Sequence, residues 1–214
     1  MDAVKSAILF PIVSLIQYTR FTLSSIIILP FLGINYITSG KKALTNFNIY
    51  KLSRTFPYIG KYFFSGLVSF FATYTANISG IVEELNDVNG SIIYLYDYPW
   101  LRNPYQSIHA IALANLGEYA SGIVLVSQLQ LRKDIRGVPT KISTEYYKKA
   151  RGTLKAVSKA IDLSTITKKC DVTLVTDIYD SKSVLVSKTF VTWTMEPKEP
   201  KVTSSNDKKD KKKR

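Results

Sequence analysis

The stretch over residues 107–130 constrains this chain more than any other. After a polar turn at residues 103–107, Ile111, Ala112, Leu113, Ala114, Leu116, Ala120, Ile123, Val124, Leu125 and Leu129 place apolar side chains nearly all round a helix. A helix with no polar face must be enclosed on most sides, so the rest of the fold has to wrap it. Ser107 is expected to cap its start, and Gly117, Gly122 and the alanines let other backbone approach closely. Two residues break the pattern. His109 is the only histidine in the chain, and Glu118 is a carboxylate inside the apolar run. An ionised carboxylate in apolar surroundings is costly, so Glu118 is expected to be solvated, paired or functional. Nine positions of helix separate the two, roughly 13 Å of rise. They cannot bond each other within one chain, and a site that uses both takes one of them from another chain.

The text around that helix reads as strands. Residues 76–85 form one candidate and residues 91–98 another, with Asn89-Gly90 as the turn between them. Beyond the helix, residues 138–149, 153–160, 171–179 and 183–193 are four more, with Gly152 and Asp180-Ser181-Lys182 at turns. Two strands, a long buried helix and four strands make an α+β arrangement, an antiparallel sheet wrapped around a central helix. The hydrophobic share of 46% is ample for such a core. Length fits one domain of about 130 residues with appendages.

The expected division is an apolar segment at 1–42, a helical lead-in at 43–75, the α+β domain at 76–195 and a disordered basic tail at 196–214. The lead-in is amphipathic and broken at Phe56-Pro57. Residues 62–82 carry no charge and could pass for a membrane span. Ser65, Ser69, Thr73, Thr75, Asn77 and Ser79 favour instead a domain helix leading into a strand.

Charge is unevenly placed. The net charge is +13, of which residues 201–214 supply +5 (seven basic, two acidic) and residues 1–82 supply +6 (seven basic, one acidic). The middle is nearly balanced, so the excess sits at the ends and does not form a nucleic-acid face. No nucleic-acid-binding motif is present. Cys170 is the only cysteine, which excludes internal disulfides and a cysteine metal site, and a single histidine argues against zinc.

Residues 21–40 are twenty uncharged residues between Arg20 and Lys41, long enough as helix to cross the roughly 30 Å hydrocarbon layer. Three readings stand: a membrane anchor, a mitochondrial targeting region (the first 82 residues are almost free of acid) and an apolar extension packed on the domain. The anchor is preferred, with membrane lipid as partner at an intracellular membrane, mitochondrial before endoplasmic reticulum. Lys211-Lys212-Lys213-Arg214 fits a dilysine retrieval pattern, but such runs are common in basic tails, and attraction to anionic lipid is the simpler use of the charge.

The segment from Asn103 to Glu118 resembles the central-helix motif of the hotdog-fold acyl-CoA thioesterases. In the phenylacetate-pathway type an Asn precedes a His-Gly-Gly, and an Asp follows nine residues after the His. Here Asn103 matches the Asn, His109 the His and Glu118 the carboxylate, while Ala110 and Ile111 replace the glycines. Residues 144–152, Thr-Glu-Tyr-Tyr-Lys-Lys-Ala-Arg-Gly, resemble a strand-turn-strand of an uncharacterised hotdog branch. The likeness covers roughly residues 60–195.

The resemblance implies thioester hydrolysis with acyl-CoA as substrate and no cofactor beyond the coenzyme A of that substrate. It also implies a homodimer or a dimer of dimers with the site shared between subunits. Glu118 would be general base or nucleophile, against the alternative of a buried glutamate bonded to backbone or to Asn103. The Ala110 N–H, at the positive end of the helix, would polarise the thioester carbonyl. His109 is expected to orient the turn rather than act as base, and Asn103 to orient water or the Glu118 carboxylate. Asn115, three positions before Glu118, can touch it. Lys148, Lys149 and Arg151 would receive the phosphates of coenzyme A, or form an ordinary solvated turn. The rival reading is a catalytically inactive hotdog protein that binds acyl-CoA or serves as a scaffold; a third is an interaction module of a membrane complex.

Overall fold

The protein is described by a computed structural model that covers residues 45–198, together with Leu15, Thr19, Thr22, Ile26, Pro30, Gly33 and Ile37. Those seven are helical and exposed. Apart from them, the expected anchor at 1–42 lies outside the described residues, as does nearly all of the expected tail.

Two short helices lead in. Helix α1 (Asn46–Ser53) is capped by Thr45, whose hydroxyl accepts from the Asn48 N–H at 3.3 Å. The chain then breaks around Phe56-Pro57, as the sequence suggests, and resumes as α2 (Gly60–Phe71). The uncharged run at 62–82 is therefore a twelve-residue helix followed by turns and a strand. Among the described residues one helix is long and apolar enough to cross a membrane, and it is the buried central helix.

Strands β1 (Ile81–Asn86) and β2 (Gly90–Leu95) form a hairpin. The turn into β2 needs Gly90, whose φ of +102° L side chains rarely adopt. The central helix α3 (Ala110–Leu131) follows, and then β3 (Ile135–Tyr146), β4 (Leu154–Ser158), β5 (Cys170–Tyr179) and β6 (Leu185–Pro197). The six strands make one antiparallel sheet in the order β1-β2-β4-β5-β6-β3. Helix α3 packs against β2, β3, β4, β5 and β6, which makes it the core. Leu116, Ala120, Val124 and Leu125 are fully enclosed. Burying each leucine-sized side chain contributes about 1.5–3 kcal/mol. This is the hotdog architecture that the sequence led us to expect.

The sheet holds the helix through its backbone as well. The Thr176 hydroxyl donates to the Gly117 carbonyl at 2.8 Å, and the Ser91 hydroxyl to the Ala120 carbonyl at 2.8 Å. At Gly117 the contact is so close that a Cβ would lie 2.2 Å from the Thr189 hydroxyl oxygen.

Several boundaries differ from expectation. Ser107 does not cap α3. The N-cap is His109, whose Nδ1 accepts from the Ile111 N–H at 3.1 Å, while Ser107 is bonded back to Asn103. Strand β1 starts at Ile81 because a 3-10 turn (Thr73–Thr75) and a positive φ at Ser79 occupy the residues before it. Strand β3 spans Ile135–Tyr146, so Lys148, Lys149 and Arg151 lie in the connection beyond it.

Candidate functional site

Helix α3 is not enclosed on every side. Ile111, Asn115, Glu118 and Gly122 follow one another at spacings of four, three and four, and so form a single stripe. Ile111 is 69% exposed, and Asn115 and Glu118 are half-buried. The 3-10 turn between α2 and β1 lies beside this stripe. Its Tyr74 carbonyl accepts from Asn115 Nδ2 at 2.8 Å, and its hydroxyl is the hydrogen-bond partner of the Glu118 carboxylate. Gly122 makes room for that carboxylate: a Cβ there would stand 3.0 Å from Glu118 Oε1.

These surroundings set the chemistry of Glu118. Burial pushes its carboxyl above the usual glutamate range, and the Tyr74 hydrogen bond pulls it part of the way back. Burial and the neighbouring Glu118 together raise the Tyr74 phenol. A carboxyl raised in this way is a better proton acceptor near neutral pH than an ordinary glutamate.

The remaining candidates gather at the start of α3. Asn103 Oδ1 accepts from the Tyr105 N–H at 2.9 Å, the Ser107 N–H at 3.2 Å and the Ser107 hydroxyl at 3.2 Å. Asn103 therefore builds the 103–107 loop, and it is Tyr74, not Asn103 or backbone, that bonds Glu118. Arg151 braces the same loop, donating from Nε to the Gln106 carbonyl at 2.9 Å and from Nη2 to the Tyr105 carbonyl at 3.3 Å. Lys149 Nζ lies 5.8 Å from the centre of the Tyr105 ring. Ala150 accepts from the Ile108 N–H at 2.9 Å, which ties the 148–151 connection to the entry of α3. Lys148 points elsewhere, to Asp180 at 3.6 Å. His109 is exposed and uses Nδ1 on the cap. Ala110 opens the helix, where the first N–H groups have no intrahelical acceptor, and its carbonyl accepts from the Tyr146 hydroxyl at 3.0 Å.

One chain thus holds two separate clusters. Asn103, His109, Ala110, Lys149 and Arg151 stand at the helix start. Glu118, Asn115 and Tyr74 stand roughly 13 Å further along the axis. Among the described residues no group of three or more histidine, cysteine, aspartate or glutamate side chains could hold a metal.

A family model described as a domain of unknown function, DUF4442, matches residues 60–195. The chain belongs to the DUF4442 family. Solved structures show the same fold as this chain. The structural-genomics protein APC5556 is 21% identical, covering 70% of this chain and 99% of that one with a TM-score of 0.60. PA5026 of Pseudomonas aeruginosa, described as a probable thioesterase, is 13% identical over 62% of this chain and 92% of its own, TM-score 0.55. A mutant of the thioesterase SAV0944 of Staphylococcus aureus is 14% identical over 58% and 99%, TM-score 0.50. No curated protein sequence matches. The DUF4442 match spans the same residues as the resemblance read from the sequence, and these likenesses establish the fold.

Tyr74 is the site residue that sequence reasoning missed. It lies 44 positions before Glu118, in a turn between a helix and a strand, and no periodicity links the two.

Proposed function

We propose that this DUF4442 protein is an acyl-CoA thioesterase that works as a homodimer. Each site would pair Glu118 of one chain with the N–H of the partner subunit's Ala110. The observation that carries the reading is the half-buried Glu118 carboxyl, raised by burial, on the one open stripe of an otherwise enclosed helix. Glu118 would take a proton from water as that water attacks the thioester carbonyl carbon. The oxyanion would form at the partner's helix start, where the backbone N–H and the positive end of the helix stabilise it. Collapse would expel coenzyme A as thiolate, which recovers the proton from Glu118, leaving the carboxylic acid as product. Lys149 and Arg151, beside the helix start, suit the phosphates of coenzyme A, with Lys148 reachable once it leaves Asp180.

Support for a second copy comes from the sheet. Strand β3 ends the strand order and is bonded by β6 on one side. Val138, Ile142 and Tyr146 on it are about half exposed. Pro139 and a slip in register beside it interrupt the free edge, and residues 141–146 remain regular. A long free edge of this kind is a template for pairing with another chain.

We also place the protein at an intracellular membrane, mitochondrial before endoplasmic reticulum, held by residues 21–40. Carbonate extraction of the full chain tests this, and release into the soluble fraction would contradict it. A second reading, acyl-CoA binding without turnover, draws on the exposed Ile111 standing where the family motif has a glycine. The deciding experiment is thioester hydrolysis over short to long acyl-CoA substrates by the full-length protein and by Glu118→Gln. Turnover that the substitution abolishes supports hydrolysis; saturable acyl-CoA binding with no turnover selects the second reading.

A further inference from the structure

Helix α2 is apolar on both of its sides. Phe63, Phe64 and Leu67 form the buried side, packed on α1 and the core. Ile59, Tyr62 and Phe70 recur at helical spacing on the other side and are close to half exposed. Tyr58, 89% exposed, starts this surface. Phe71, 78% exposed with its ring edge-on to Phe70 at 5.4 Å, and the half-exposed Tyr74 carry it past the end of the helix. Lys61 is the one charged side chain in α2. A helix that is apolar nearly all round calls for apolar cover on both sides. Among the described residues the core covers one.

Chain length and charge identify the cover for the other. Five residue steps separate Gly40, the end of the uncharged run, from Thr45, the cap of α1. They reach at most about 18 Å. Gly60 packs α2 directly on α1, since a Cβ there would stand 1.7 Å from the Ser53 carbonyl oxygen. A chain that crosses a bilayer at residues 21–40 therefore holds α1 and α2 close to the lipid surface. Residues 41–82 carry five cations, Lys41, Lys42, Lys51, Arg54 and Lys61, and no acidic residue. Glu83 pairs with Arg54 at 3.7 Å and with Lys61 at 2.5 Å, which leaves a positive surplus. Aromatic rings edged by cations suit the interface of an anionic bilayer. A second copy is placed elsewhere: α2 packs on β1, and β1 and β3 are opposite ends of the strand order.

We propose that the aromatic surface from Tyr58 to Tyr74 docks the folded domain on an anionic bilayer. The surface ends at Tyr74, the partner of Glu118, so docking would turn the mouth of that site toward lipid. The inference rests on the reading of residues 21–40 as a membrane span. Its test uses the full-length protein with Cys170→Ser, reconstituted into vesicles of phosphatidylglycerol and phosphatidylcholine brominated high on its acyl chains. Bimane is attached at Phe71→Cys, at Tyr58→Cys as a second probe, and at Val175→Cys as control. Leu174 and Thr176 face α3, so Val175 lies on the opposite face of the sheet. Emission at positions 71 and 58 is expected to be quenched, and emission at 175 to be retained. Quenching should weaken when phosphatidylglycerol is left out, and quenching independent of it overturns the anionic assignment. Protein released by carbonate overturns the span and the docking together. Retained protein whose probes at 71 and 58 keep their emission overturns the docking alone. If those probes are also shielded from aqueous iodide, a second copy or another part of this chain covers the surface in place of lipid.

Discussion

The two faces of α3 are built for different purposes. The face toward the sheet is small and tight: Gly117 touches Thr189, while Thr176 and Ser91 donate to the helix carbonyls. The open stripe of Ile111, Asn115 and Glu118 is the opposite. It exposes an isoleucine, strands the buried Asn115 Oδ1 without a partner, and holds a carboxyl that burial pushes upward. A helix that needed only to be a core would repeat the first face all round. The second face gives up stability around a carboxyl whose proton affinity is raised, the feature on which the proposed role of Glu118 rests.

The largest effect should come from the open stripe. Glu118→Gln is expected to lower thioester turnover by about 10²–10⁴, the usual contribution of a general base, with the circular dichroism spectrum unchanged. An unchanged rate would reduce this face to packing. On the sheet side, Gly117→Ala forces a Cβ to within 2.2 Å of Thr189. It is expected to cost about 1–3 kcal/mol in chemical denaturation, and a neutral result would mean that the two layers can separate without loss. At the helix start, His109→Ala removes the side-chain cap and is expected to cost about 1 kcal/mol. That loss should appear as a lower melting temperature, and turnover per folded molecule should change little.

The smallest effect sharpens the contrast through pH. Because the folded carboxyl of Glu118 is raised, the folded state holds its proton more tightly than the unfolded chain does. Stability is therefore lost as pH rises through the unfolded value of about 4.3 and then through the folded one. Glu118→Gln escapes this loss. The variant is expected to be the more stable protein near neutral pH, with the advantage vanishing below about pH 4. Denaturation midpoints of both proteins across that range check the sign.

Much of this arrangement could be read from the residues. An apolar pattern on all sides of 107–130 implied an enclosing sheet, and Asn89-Gly90 and Gly152 fell at turns because few residues other than glycine accept a positive φ. The cap was misplaced because Ser107 is the better capping residue by type, yet Asn103 had already claimed its hydroxyl and N–H. The tyrosine-rich text at 146–147 reads as strand to its end, but the pairing with β6 stops at Tyr146 opposite Ser187. Tyr74 was invisible for a different reason. Its role comes from where the chain between α2 and β1 is carried, a tertiary fact with no local signature.

The central claim, a site shared between two copies, is tested most directly by mixing two inactive variants. Glu118→Gln removes the carboxylate. Ala110→Pro removes the N–H at the first helical position, where proline is tolerated and the extended His109 before it is compatible. Unfolded together and refolded at equal amounts, the two chains should form heterodimers in which one of the two sites is intact. Recovery of roughly a quarter of wild-type turnover is expected from statistical pairing. A mixture as inactive as either variant alone, with heterodimers present by mass, would contradict the shared site.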